Sequence, residues 1–274
     1  MIFSLMASTM LCLAACGGSD EPKPGPDPEP QPAGVVFFDD FTTFDKTAWT
    51  KETHPKGYVN NELQSYEYAN VYTDVIDGVS VLVIEAKRNG STFTSGRVNS
   101  KGKKSFKYGR FEARIKLPKT DAGLWPAFWM MGDTEIAWPG CGEIDIMEMG
   151  HKDGIAAGNS DRLLNSAIHW GTTVYNHEQE YISKAFGKNL QDNQFHTYCL
   201  EWTANGMTIS VDGVKHATFS TADLTYFNGN KFYMLFNMAV GGDFPSIFES
   251  SGITALKDGQ KAQMLIDWVR VTDL

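Results

Sequence analysis

Gly142-Glu143-Ile144-Asp145-Ile146-Met147-Glu148 is the stretch from which the rest of this chain is read. Acidic and apolar residues alternate from Glu143 to Ile146, the period of a strand buried on one face and open on the other. Glu143 and Asp145 then point one way, while Ile144 and Ile146 point into a core. Glu148 falls on the wrong face of a flat strand. One extra residue absorbed near Ile146-Met147, a β-bulge, restores the phase and sets all three acids on one face. Glu143 and Glu148 are then about four strand steps apart, roughly 13 Å between Cα atoms at about 3.3 Å per step.

The same period runs outward along the chain. Val81–Ala86, Gly109–Lys116, His196–Trp202, Met207–Val211 and Met264–Val271 alternate as strands do. Asn205-Gly206 and Asp212-Gly213 place hairpin turns on either side of the Met207 strand. No stretch carries a sustained apolar stripe at helical spacing. Many short strands without βαβ alternation predict an all-β fold, a two-sheet sandwich able to curve around a groove. Residues 35–274 show no second linker and no internal repeat, and read as one domain.

Two glutamates leaning together from such positions could bring their carboxyl groups to about 5–5.5 Å, the separation used in double-displacement glycoside cleavage. Three acids on one strand also repel, so at least one pKa rises and a neutral acid can stand beside an ionised nucleophile. An acidic triplet alone fits a cation site or a solvated strand edge equally well. Its surroundings favour the sugar reading. Ile144 and Ile146 bury the other face, and Trp125, Trp129 and Trp138 upstream, with His169-Trp170 downstream, offer rings that can stack on sugars.

The amino-terminal segment reads differently. Met1 to Ala15 is apolar or small, too short to span a bilayer permanently, and fits a signal peptide. Leu13-Ala14-Ala15-Cys16-Gly17 resembles a bacterial lipobox, which implies cleavage before Cys16 and lipid on its sulfur, although no Lys or Arg precedes the apolar run. Within residues 16–34, Pro22, Pro24, Pro26, Pro28, Pro30 and Pro32 alternate with polar residues as in an extended tether. The expectation is an exported lipoprotein anchored at the outer membrane, on the cell surface, and monomeric. A net charge of −9 argues against a nucleic-acid partner. Only Cys141 and Cys199 lie in the domain; with no C-x-x-C and no His/Cys cluster, zinc is not expected, and both are read as free buried thiols.

Trp138-Pro139-Gly140-Cys141-Gly142-Glu143-Ile144-Asp145-Ile146-Met147-Glu148 closely resembles the bulged catalytic motif of glycoside hydrolase family 16, in its laminarinase-like branch. The likeness extends through Asn60-Asn61-Glu62-Leu63-Gln64, Thr94-Ser95-Gly96-Arg97, Phe106–Glu112, Leu124–Met130, Asn237–Gly242 and Ile266–Val271. It implies a concanavalin-like β-jelly roll of two curved antiparallel sheets with a concave catalytic cleft, a retaining mechanism and β-glucan as substrate. Internal cleavage of β-1,3-glucan (laminarin) and of mixed β-1,3/1,4-glucan are both implied. By position, Glu143 is the nucleophile, Asp145 tunes the pair and Glu148 is the acid/base. Asn60, Arg97, Trp125, Trp129, Trp138 and His169 match positions lining sugar subsites. No catalytic cofactor is implied; a structural calcium on the convex side is, at Asp40, Gly78 and Asp267. Phe244-Pro245 stands where laminarinases commonly have Trp-Pro. The alternatives are a family 16 hydrolase of a marine galactan (agarose, porphyran or carrageenan) and a non-catalytic surface glycan-binding protein, which could do without the three acids.

Overall fold

The computed structural model describes residues 32–222 and 224–274. The signal segment, Cys16 and nearly all of the proline tether lie outside the described residues.

Two sheets form the body. The outer one runs in the order Val214–Ser220, Gly206–Val211, His196–Thr203, Gly109–Lys116, Lys261–Thr272, Val79–Asn89, Thr92–Ser95 and Gln64–Tyr66. Val35–Asp39 pairs with Lys261–Thr272, and Val71–Ile76 with Val79–Asn89. The inner sheet runs His177–Ala185, Leu163–Gly171, Glu143–Glu148, Leu124–Gly132, Phe232–Val240, Arg97–Asn99 and Thr50–Lys51, with Ser105–Phe106 also on Phe232–Val240. This is the all-β, two-sheet jelly roll expected. One detail departs from a wholly antiparallel pattern: the edge piece Gln64–Tyr66 pairs parallel with Thr92–Ser95.

The sheets face each other across one apolar core. Trp202 of the outer sheet meets Phe232 of the inner sheet at 5.1 Å between ring centroids. Phe232, Met234, Phe236, Met238 and Val240 point into this core, each fully buried. Each such side chain contributes roughly 1.5–3 kcal/mol relative to exposure. The strand's alternate residues Tyr233 and Leu235 join Ala127 and Trp129 in a separate apolar layer on the other face. That second layer underlies the groove. Register slips at Asp145/Glu148, Phe128/Trp129 and Ile266/Trp268 break the pleat, and such slips add the bend and twist that curve a sheet.

Two short helices, Lys152–Ala157 and Thr225–Gly229, interrupt the strands. Neither is long enough to carry the apolar stripe by which a helix shows in a sequence. Cys141 and Cys199 are free and buried, as expected.

Candidate active site

The geometry of the site follows from how one strand is spliced between two neighbours. Asp145 pairs with Ala167 and Glu148 with Asn165, so Ile146 and Met147 together oppose Ser166. On the other side Asp145 pairs with Trp129 and Met147 with Phe128, leaving Ile146 without a counterpart. This is the bulge required by the phase count. Ile146 and Met147 are both fully buried in the main core. Ser166 Oγ donates to the Ile146 carbonyl at 2.8 Å, and Asn165 Nδ2 donates to the Glu148 carbonyl at 3.3 Å. Two successive residues turned inward return Glu148 to the face of Glu143 and Asp145.

The three acids have distinct surroundings. Glu148 is largely buried and accepts a hydrogen bond from Trp125 Nε1 at 2.8 Å. The Trp125 ring is stacked on Phe244, 4.7 Å between centroids and 10° from parallel, and His151 meets the Phe244 ring at 4.9 Å. Asp145 is the most enclosed, and its Oδ2 has no hydrogen-bond partner. His169 Nε2 lies 3.1 Å from that oxygen, off the line of a directed hydrogen bond. Glu143 is partly open to the groove and sits directly across from His169 in the strand register. The His169 Nδ1 is 2.8 Å from His177 Nε2, and Trp138 packs on His177 at 4.7 Å.

Burial and the neighbouring Asp145 charge push Glu143 up to about 8, opposed by His169 and by a hydrogen bond from Trp138. Burial pushes Asp145 up to about 8. Burial, and after it the Asp145 charge, raises Glu148 well above the usual carboxylate range; the Trp125 hydrogen bond works against this. These acids cannot all be ionised together near neutral pH. Glu143 is the most open to water of the three, and water favours its charged form.

Trp129 forms the floor of the groove, its Nε1 donating to Asn237 Oδ1 at 2.7 Å. Asn237 Nδ2 donates to the Tyr66 hydroxyl at 3.1 Å, and Tyr66 donates to buried Glu62 at 2.9 Å. Gln64 Nε2 donates to the same Glu62 oxygen at 2.6 Å. Asn60, exposed at the rim with φ of 50°, donates to the other Glu62 oxygen at 3.4 Å. Its carbonyl holds the Asp243 amide at 2.9 Å, joining the Asn60 loop to the loop that carries Phe244. Gly242 lets these loops meet: its φ is +93°, and a Cβ there would lie 2.5 Å from the Asn60 carbonyl oxygen.

Arg97, matched to a position lining a subsite, stands close enough to the acids for its charge to act on Glu143. It is buried, its Nε is paired with Glu52, and its guanidinium lies over the Trp129 ring at 4.9 Å. With its charge already met, it serves the groove by holding Trp129. Trp138, 37% exposed, offers the most open ring of the group.

The residues expected to hold calcium are on the other sheet. Asp40 Oδ1 accepts from the Thr42 amide at 3.1 Å and its hydroxyl at 2.9 Å. Asp267 sits at the slip between Ile266 and Trp268 and pairs with Arg114. Its carboxyl is raised by burial; Arg114 lowers it and Asp40 raises it further. Gly78 is exposed, with φ of +80°, in the turn between Val71–Ile76 and Val79–Asn89. A carboxylate already carrying an arginine, beside one tied to a threonine, fits a cation needing six to eight oxygens only in part.

His177, His151, Tyr66 and Asn237 belong to the site although the sequence does not mark them as site residues, and Phe244 shows in the sequence only as a departure from the Trp-Pro of laminarinases. Asn237 and Glu62 stood inside quoted motif runs. His177 becomes visible only once the hairpin register, with Gly171 opposite His177, is known.

A glutamate open to the groove, a second acid on the same strand face held up toward its protonated form, and tryptophans around both fit a sugar-cleaving enzyme of the retaining type. The model of Glycosyl hydrolases family 16 matches residues 47–270, and the chain belongs to that family and is a glycoside hydrolase. A solved structure of a Bacteroides ovatus mixed-linkage glucan GH16 protein with a G4G4G3G product is 54% identical. It aligns with a TM-score of 0.85 over 86% of this chain and 100% of that one. The laminarinase catalytic domain of Thermotoga maritima is 29% identical, with a TM-score of 0.71 over 88% of this chain and 98% of that one. The clotting factor G alpha subunit of Tachypleus tridentatus is 32% identical over 86% of this chain, which spans only 33% of that protein. Family 16 hydrolases need no catalytic cofactor.

Proposed function

We propose that this enzyme cleaves β-glucan chains internally with retention, acting on both β-1,3-glucan and mixed β-1,3/1,4-glucan. The observation that carries the mechanism is the bulge, which brings Glu143, Asp145 and Glu148 to one face with Trp125 donating to Glu148. The likeness to the mixed-linkage and laminarinase structures supports the substrate.

In the first step Glu148 gives its proton to the glycosidic oxygen while the Glu143 carboxylate attacks the anomeric carbon. The bond to the leaving sugar breaks and a covalent glycosyl-enzyme forms. Asp145, between them, resists ionisation of Glu148 and so keeps the proton available. Glu148, now a carboxylate, takes a proton from water; the water attacks the same carbon and releases Glu143. Two inversions give net retention. Trp125, Trp129, Trp138, Asn60 and His169 hold the sugars along the groove.

Proton NMR of the first product from laminarin or lichenan should show the β-anomer before mutarotation. An initial α-anomer would refute the mechanism. Cleavage of agarose with neither glucan touched would refute the substrate.

The proposal extends to the residues outside the described part: Cys16 lipidated, and the enzyme held by its proline tether as a monomer on the outer membrane. Cys16→Ala should move the enzyme from the membrane fraction to the soluble one; a variant that still pellets removes the anchor reading. A structural calcium near Asp40, Gly78 and Asp267 is supported by the mutual repulsion of the two acids and opposed by Arg114. Chelation should lower the melting temperature by several degrees if the ion is there. An unchanged melt assigns Asp267 to Arg114 alone.

A further inference from the structure

We propose that the catalytic cleft also binds a borderline divalent transition cation, of which Zn²⁺ is the type, through Glu143, Asp145 and His169. An ion there shuts the enzyme off reversibly. One ligand atom from each of the three residues lies within 4.8 Å of the others. The His169 Nε2 and Asp145 Oδ2 atoms are 3.1 Å apart. That is near the spacing of neighbouring ligands around a tetrahedral ion with bonds of about 2.0–2.2 Å.

A second observation points the same way. Asp145 is 4% exposed and its Oδ2 has no hydrogen-bond partner. A buried carboxylate oxygen without a hydrogen bond is costly and rare, and this one belongs to the three-residue cluster, with His169 Nε2 beside it at 3.1 Å. The outer layer is in place as well. His169 Nδ1 is 2.8 Å from His177 Nε2; in the tautomer whose Nδ1–H donates there, the free lone pair is on Nε2, 3.1 Å from Asp145 Oδ2. That tautomer is the one a metal takes, and a hydrogen bond on the far ring nitrogen is its usual support. Trp138, packed on His177, keeps that support from swinging away.

Three protein ligands on the strand side leave a fourth position facing the groove, for water or a sugar hydroxyl. Imidazole among the ligands selects zinc-like ions over calcium or magnesium. A divalent charge also relieves the repulsion among the acids. No cysteine or histidine spacing in the sequence announces the site, because its ligands come from two strands paired across a sheet. His54 and His151 each meet a single acid, Glu52 and Asp153, while His196, which meets both Asp192 and Asp212, has both ring nitrogens engaged, at 3.1 and 2.7 Å.

The shut-off rests on Glu143 being the nucleophile; the binding does not. Zinc titration by calorimetry, with visible absorption of a Co²⁺ complex, should find one ion per chain. Glu143→Gln and His169→Ala should lose it. Glu148→Gln, which keeps all three ligands, and His196→Asn should bind as the parent does. His177→Phe should weaken binding by about 10–100-fold. Circular dichroism checks that each variant is folded, and if His169→Ala is not, Glu143→Gln carries the comparison. No uptake by the parent chain, or uptake that survives loss of Glu143 or His169, overturns the proposal. Glucan hydrolysis by a chain that takes up no zinc would leave the hydrolase reading standing while this one falls. Zinc uptake at these ligands by a chain that hydrolyses no glucan even when freed of zinc would do the reverse.

Discussion

Glu143→Gln is expected to lower turnover of laminarin and lichenan by more than about 10⁴-fold, because no other group can form the covalent intermediate. Binding of glucan oligosaccharides should persist, since the tryptophans and the Asn60 loop are untouched. The same variant should be more heat-stable than its parent at pH 8. The sign follows from the direction of the shift. A carboxyl with an ordinary value near 4.5 in the unfolded chain is held up to about 8 in the folded one. The folded state therefore binds the proton more tightly than the unfolded state does. Stability from that preference is fully present below about pH 4.5 and is lost as pH rises through 8. Glutamine, which cannot ionise, escapes the loss. The gain in melting temperature should shrink toward zero near pH 4. Activity near the parent's, or a variant less stable at pH 8 than at pH 4 relative to its parent, would remove Glu143 from this role.

Glu148→Gln should slow hydrolysis of natural glucan by about 10²–10⁴-fold, the usual worth of a placed general acid. An aryl glycoside whose phenol leaves without help should form the glycosyl-enzyme at nearly the parent rate, and that intermediate should then accumulate for want of a base. Trp125→Phe probes the same acid more gently. The ring can still stack on Phe244, but the N–H that lowers the Glu148 value is gone. The alkaline limb of the pH–rate profile should therefore move to higher pH. Equal losses of Glu148→Gln on activated and natural substrates would show that Glu148 does not protonate the leaving group.

Period-two alternation makes the carboxylate strand and five others legible in the sequence, whereas Phe232–Val240, buried at every position, shows no alternation to read. The bulge was legible too, because Glu148 is out of phase with Glu143 without it. What stayed hidden depends on tertiary register. Nothing local says that Phe244 lies flat on Trp125, or that His177 reaches His169 across a hairpin. Arg97 stands in a motif run, but its burial follows from Glu52, 45 residues away in sequence, which takes its charge. The two short helices escaped because six and five residues cannot show a helical stripe.

The backbone frame that aims the acids is held by apolar burial of Ile146 and Met147 and by Ser166 and Asn165 on the strand carbonyls, none of which needs an ionised carboxylate. Folding and turnover are therefore under separate control in this chain, and near neutral pH they pull against each other. A lineage released from selection for hydrolysis could exchange either glutamate by one nucleotide change and gain stability in the step. What remained would be an intact sugar groove on a sturdier scaffold. From this architecture, the path from enzyme to glycan receptor runs downhill.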